Sequence, residues 1–301
     1  MTDTNSSLRL PDFIGVGPPR TATTWLHEAL KGRVCLPADR KETDFFTRFY
    51  DRGIEWYAGF FSNCRPGTRV GELSPMYFAS PEARERIARH IPGCRIIVSL
   101  RDPVERAYSN YRLLRRNAFT KADFERAATA RGDLVESSRY AFHLKKWFET
   151  FGRDRVQVLI YDDLEKDPQE FLDSVCRFIG IARFPVTASR AGSERINQVN
   201  TLPSSQRLAR MARNVLVWLS SHRFDRATGY FRRTALVKYM MEGGDPFPPL
   251  DPEVAARLRE RYRPEIEELE KLIGRDLSAW KLGRRESADP SARAKSFSAA
   301  I

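Results

Sequence analysis

Four short apolar runs, each handing over to a stretch of helical periodicity, constrain this chain more than any other feature. The runs are Phe13–Val16, Thr68–Leu73 (TRVGEL), Arg95–Leu100 (RIIVSL) and Val156–Tyr161 (VQVLIY). Helical patterns occupy Thr23–Lys31, Pro81–His90, Val104–Arg115, Tyr140–Phe151 and Pro168–Ile179. Strands that alternate with helices, and are apolar enough to be covered on both faces, predict a parallel sheet in an α/β fold. Pro11 and Asp12 mark the start of the first strand, and Gly152 ends the helix before the last one.

The remainder is helical. Pro203 to Met241 reads as helix with arginines at 207, 210, 213, 223, 226, 232 and 233 and Lys238, nearly unopposed by acids. GGDPFPP breaks the chain, and a charged helix follows from Pro252 to Ile273. The organisation expected is one domain over 12–283, a flexible N-terminus over 1–11, and a disordered Ser/Ala/Arg-rich tail over 284–301.

At 301 residues and 42% hydrophobic, the chain can bury one large core. Its net charge of +12 favours anionic partners: nucleotides, acidic polymers or acidic lipid surfaces. Cys35, Cys64, Cys94 and Cys176 are scattered without metal-ligand spacing and read as buried free thiols of a reducing compartment, with a disulfide as the open alternative. The polar start MTDTNSSLRLPD has no apolar leader, and no window approaches the roughly 18–20 apolar residues of a membrane span. A soluble cytoplasmic protein is expected.

Two strand–helix junctions suit anions. In FIGVGPPRTATTWLHEAL, Phe13 to Leu30, a strand turns directly into a helix whose first N–H groups lack intrahelical acceptors. The candidate donors are the backbones of Thr21, Ala22, Thr23 and Thr24, the threonine hydroxyls, and the Arg20 guanidinium, whose fork matches two oxygens at once. No lysine precedes a Ser/Thr there, so this is not the loop of an ATPase. An N-capped helix with nothing bound is the bland alternative. In RDPVERAYSNY, Arg101 to Tyr111, Arg101 sits at a strand's carboxyl end and Ser109 lies about two helical turns on. A surface helix with an Arg–Asp cap explains that segment alone. Two such junctions together predict a ligand with two separated phosphate-like groups.

The order of these segments resembles the PAPS-dependent sulfotransferases. PPRTATTWL is similar to their 5′-phosphosulfate loop, and RDPVERAYSNY to their 3′-phosphate motif. KETDFFTRFYDRGIEWYAGFF, Lys41 to Phe61, resembles the Lys-Glu-x-x-Phe-Phe stretch of the carbohydrate (heparan-sulfate-type) branch and its bacterial relatives. GELSPMYF, YDDLEKDPQEFLDSVCRFIGI and RYRPEIEELEKLIGRDLSAW match further segments, so the likeness runs from about Phe13 to Trp280. Arg20 stands where the family has a lysine, and Ala22 where it has a glycine. Arginine keeps the charge but cannot donate a proton.

The resemblance implies a P-loop-like central parallel sheet flanked by helices, with a helical C-terminal portion. It implies in-line transfer of a sulfuryl group from PAPS (3′-phosphoadenosine 5′-phosphosulfate) to an acceptor hydroxyl or amine, without a metal. Arg20 to Thr24, with Trp25, would hold the 5′-phosphosulfate, and Arg101 and Ser109 the 3′-phosphate. Arg195 and Asn197, in GSERINQVNTLPSSQR, match a late loop over the nucleotide. Glu42 corresponds to the general base, with Lys41 beside it on the sulfonate and Glu72 in reserve. Phenol-type members use a histidine, and GELSPMYF has none; His27, His90, His143 and His222 read as surface or packing residues. Phe45 and Phe46 could wall the site, with one of them in the core.

The acceptor expected is a carbohydrate, glycolipid or small metabolite, with no nucleic acid. The Arg-rich stretch from Arg207 to Lys238 reads as a grip on an anionic acceptor or as a peripheral membrane contact, with a solvated face as the bland alternative, and oligomeric state is not legible. The rival readings are a P-loop nucleotide kinase and a non-catalytic binder of anionic polymer or nucleic acid on the same fold.

Overall fold

The computed structural model describes residues 8–38, 40–188, 201–221, 234, 237 and 244–283. A four-stranded sheet lies at the centre, in the order β2-β1-β3-β4: β1 (Phe13–Gly17), β2 (Gly71–Leu73), β3 (Arg95–Leu100) and β4 (Val156–Ile160). All pairings are parallel, with Phe13 opposite both Gly71 and Arg95, and Ile96 opposite Val156. Each strand therefore needs a crossover, and helices supply them. The central β1 also carries a register shift against β3 between Gly15 and Gly17.

Successive side chains on a strand point to opposite faces, and the core divides accordingly. Ile14, Val16, Ile96 and Val98 enter the larger cluster, with α3 (Pro81–His90), α4 (Pro103–Arg116), α7 (Tyr140–Phe151) and α11 (Pro252–Ile273). Phe13, Leu73, Ile97 and Leu159 enter the other, with α1 (Thr23–Leu30) and α9 (Pro168–Ile179). Short helices fill the connections: α2 (Ile54–Ala58), α5 (Phe124–Ala130), α6 (Asp133–Glu136) and α8 (Tyr161–Lys166). Two more elements, α10 (Gln206–Ser221) and α12 (Ser278–Leu282), complete the described helices. Among the described residues no helix is long and apolar enough to cross a membrane.

The doubly covered parallel sheet and the helical C-terminal portion are as the sequence predicts. The run Thr68–Leu73 is paired in the sheet only from Gly71, because Val70 and its neighbours bond to Asp12 and Cys35 instead. The cysteines need a correction. Cys35 and Cys64 form a disulfide with Cα atoms 5.6 Å apart, whereas Cys94 and Cys176 are buried thiols. The pair is 29 residues apart in sequence and meets only because the loop between α1 and β2 folds back. The reducing compartment inferred from free thiols loses that support. Phe45 and Phe46 are corrected too: both are buried, stacked or edge-on to Tyr57, so neither walls a site. His90 accepts or donates at Tyr50 Oη, and His143 packs on Phe78, as expected of packing residues.

Gly17 closes β1 with φ +98, and a Cβ there would lie 2.4 Å from the Pro75 carbonyl oxygen. Both the backbone conformation and the close approach require glycine. Gly17→Ala is expected to destabilise the protein by on the order of 3 kcal/mol, read as a lowered urea midpoint; a midpoint equal to the wild type would overturn this account of the strand end.

Candidate active site

The turn after Gly17 places Arg20 and Ala22 in left-handed backbone, with φ 75 and 73. Left-handed residues alternating with ordinary ones turn successive N–H groups into a concavity suited to an anion. Ala22 then starts α1 and offers no side-chain cap. By contrast α3, α4, α9 and α11 begin under Ser80, Asp102, Asp167 and Asp251, whose side chains accept the first N–H groups. The α1 start also has no acid in its first turn. Its N–H groups and dipole are thus left for an external anion.

Thr21 is fully buried, and its hydroxyl donates to the Pro18 carbonyl and meets Ser99 Oγ at 2.8 Å. It shapes the turn, and only its backbone remains for a ligand. Thr23 and Thr24 line the cleft. The Trp25 ring is in the core, edge-on to Phe171 at 5.6 Å, so that residue contributes at most its main chain.

The two junctions meet. Arg20 Nε donates to Ser109 Oγ at 2.9 Å, across 89 residues of sequence. Asp102 accepts from Val104 and Glu105 and caps α4 itself, so the guanidinium of Arg101 is not part of the cap. Arg101 instead donates to Glu105 at 2.8 Å and covers the Tyr161 ring at 4.6 Å. Burial, then the charges of Arg101, Arg116 and Arg112, push Arg20 down to about 10. It stays cationic at neutral pH, in a field that an anion would relieve. Arg112 and Arg116 were missed in the sequence; the run RLLRRN, about one to two turns beyond Ser109, was the available signal.

On the other side, Lys41 Nζ donates to Thr24 Oγ1 at 2.8 Å and to Glu42 Oε1 at 2.7 Å. The Glu42 side chain is 33% exposed. Arg20, Thr23, Thr24, Lys41 and Glu42 all line one open cleft of about 1370 Å³. Glu72 does not reach it. Its carboxyl group is wholly buried and receives the hydroxyls of Thr43, Ser74, Tyr57 and Tyr77. Arg195 and Asn197 lie outside the described residues.

Asp44, also missed, lines the same cleft with φ 51. Its Oδ1 is buried without a hydrogen-bond partner. Burial, then Glu42 and Glu72, raise its carboxyl to about 6. The alternation KETD carried the signal, since it sets two acids two residues apart.

Comparison with known proteins adds three findings. Residues 10–237 match the family described as "Sulfotransferase domain". The chain is 33% identical over 198 residues to human bifunctional heparan sulfate N-deacetylase/N-sulfotransferase 3, covering 58% of this chain and 22% of that one. It is 29% identical over 269 residues to human heparan sulfate glucosamine 3-O-sulfotransferase 3B1, covering 86% and 62%. The chain thus spans about a quarter of the length of the bifunctional relatives. The crystal structure of a sulfotransferase from Alicyclobacillus acidocaldarius superposes with a TM-score of 0.64 at 21% identity, covering 91% of this chain and 99% of that one. That likeness establishes the fold.

Two outcomes follow from the site's backbone and charge. Left-handed alanine costs about 1–2 kcal/mol, partly offset by the greater freedom of an unfolded glycine, so Ala22→Gly should stabilise by about 0.5–1 kcal/mol. A loss of stability would show that the methyl group packs usefully. Burial, then Glu42 and Glu72, raise the Asp44 carboxyl from its ordinary 3.8 to about 6 in the folded protein, so the native state binds more protons between those values. Its contribution to stability therefore falls as pH rises from about 4 to about 6, and the penalty persists above. Asp44→Asn should exceed the wild type by on the order of 1–3 kcal/mol at pH 8 and by little at pH 4. Equal differences at both pH values in urea unfolding would contradict the assignment.

Proposed function

The chain belongs to the sulfotransferase-domain family, and from that premise we propose that it transfers a sulfuryl group from PAPS to a hydroxyl or amine of a carbohydrate acceptor. The observation that carries the reading is the Arg20–Ser109 hydrogen bond. It draws two anion-suited strand–helix junctions into one surface beside an uncapped helix start, as a nucleotide with a 5′-phosphosulfate and a separate 3′-phosphate requires. The heparan sulfate sulfotransferases among the relatives support a carbohydrate acceptor.

In this mechanism the 5′-phosphosulfate lies against the α1 start, receiving the N–H groups of Ala22 to Trp25 and the charge of Arg20. Arg101 and Ser109 take the 3′-phosphate. Arg195 and Asn197 are proposed as further nucleotide contacts. The acceptor oxygen or nitrogen attacks sulfur in line, and the bond from sulfur to the bridging phosphate oxygen breaks. Glu42 takes the acceptor's proton, and adenosine 3′,5′-bisphosphate leaves. Lys41, within 2.8 Å of both Thr24 and Glu42, is set to pair with sulfonate oxygens between donor and base. Arg20 stays charged at about 10 and stabilises the leaving phosphate electrostatically. Most of the rate enhancement would then come from positioning and fixed charge, as in phosphoryl transfer. Access favours Glu42 over Glu72, which is enclosed by hydroxyls.

Calorimetry with adenosine 3′,5′-bisphosphate tests the nucleotide site. Micromolar binding is expected for the wild type, weakened at least about tenfold in Arg101→Ala by loss of a charge-assisted contact. Glu42→Gln should retain that binding while PAPS turnover falls by about 10²-fold or more. A folded wild type that binds ATP but not the bisphosphate would replace this reading with a nucleotide kinase.

A further inference from the structure

We propose that α10 is an interfacial helix that seats this protein on an anionic lipid surface. Ala209, Ala212 and Leu216 face inward and are buried, which fixes the side of the helix that packs on the protein. The adjoining ridge carries Leu208, Met211, Val215 and Trp218, at 39%, 65%, 42% and 54% exposure. Their spacing of three, four and three residues keeps them in one row along the helix. Four large apolar side chains in an exposed row are not the ordinary scatter of single surface hydrophobes.

The charge on the same helix identifies the partner. Gln206–Ser221 contains Arg207, Arg210 and Arg213 and no Asp or Glu. Arg207 and Arg210 are exposed on the side of the apolar row away from the protein. An apolar ridge bordered by arginines, with Leu208, Met211 and Val215 to enter the acyl boundary, is the composition of a helix lying in the plane of a bilayer. A second copy of the chain fits less well. It would set acid-free, arginine-bearing helices against each other, and one short ridge is small beside the roughly 800 Å² per partner of a stable interface. An acidic polymer would satisfy the arginines and leave the apolar row in water.

The helix is joined to the rim of the cleft. Arg213 Nη1 donates to the Ala118 carbonyl at 2.6 Å, and its guanidinium lies 5.2 Å over the Phe119 ring. Phe119 is itself 47% exposed and lines the cleft. The lipid-facing ridge and the cleft mouth are therefore fixed to one short segment at the end of α4. The inference rests on α10 and its attachment, not on the reaction proposed above.

Co-sedimentation of the full chain with phosphatidylcholine vesicles, with and without phosphatidylglycerol, tests it. The wild type should bind the anionic vesicles and fall to about a tenth or less of that affinity on neutral ones. Met211→Asp with Val215→Asp, and separately Arg207→Glu with Arg210→Glu, should each lose about tenfold or more on anionic vesicles. All four positions are exposed, so folding is checked independently by an unchanged thermal melt. Absence of wild-type vesicle binding overturns the proposal. So does binding that the apolar pair leaves intact, which would mark simple charge attraction, or a dimer in sedimentation that the apolar pair dissolves without any vesicle binding. Nucleotide calorimetry on the same samples reports on the sulfotransferase reading separately.

Discussion

The buried carboxyl group of Glu72 is the contact on which the geometry of the cleft depends. An acid side chain with no solvent exposure is costly unless its oxygens are met by donors. Here the hydroxyls of Thr43, Ser74, Tyr57 and Tyr77 meet them. Burial, then the proximity of Glu72, raises both tyrosines well above their ordinary range, which keeps them protonated as donors. The four partners come from the Lys41–Asp44 loop, from α2, and from the turn after β2. One residue in the middle of β2 therefore fixes the loop that carries Lys41 and Glu42 against the sheet. Oε1 accepts from Thr43, Ser74 and Tyr77, whereas Oε2 accepts from Tyr57, so removing the Tyr57 hydroxyl would leave a buried oxygen unsatisfied and loosen that loop.

The opposite wall of the cleft rests on repulsion held in check by the fold. Burial, then the charges of Arg101, Arg116 and Arg112, depress Arg20 to about 10, while Glu105 pairs with Arg101. Positive charge concentrated around an uncapped helix start stores unfavourable energy that a bound dianion would release. Asp44 across the cleft is the reverse case, a carboxyl raised to about 6 with an oxygen left without a partner. Both perturbed groups, Arg20 and Asp44, line the cleft where the proposed chemistry would take place.

Lys41 and Glu42 meet the phosphate loop through Thr24, and α10 meets the cleft rim through Ala118 and Phe119. Lys41 and Glu42 are thus tied to the β1–α1 junction, and the proposed membrane face to the C-terminal end of α4. The disulfide between Cys35 and Cys64 closes the loop that carries Lys41 and Glu42 into the cleft, adding a second restraint to the one from Glu72.

Much of this was legible in the order of residues. Period-2 and period-3.6 patterns depend on near neighbours, and they placed β3, α3, α7, α9 and α11 to the residue. The GPPRTATTW and RDPVERAYSNY segments announced two anion-ready junctions because helix starts are local too. The sequence could not say that Arg20 would reach Ser109, that Glu72 would be enclosed while Glu42 stayed open, or that Cys35 would find Cys64. Arg20 and Ser109 are 89 positions apart, Cys35 and Cys64 29, and the enclosure of Glu72 needs Thr43 and Tyr57, 29 and 15 positions away. Local pattern by itself determined the layered α/β architecture and the residue types of the site. Tertiary packing decided which of those side chains face the cleft and which are spent inside, because exposure and long-range partners are set only when the layers close on one another.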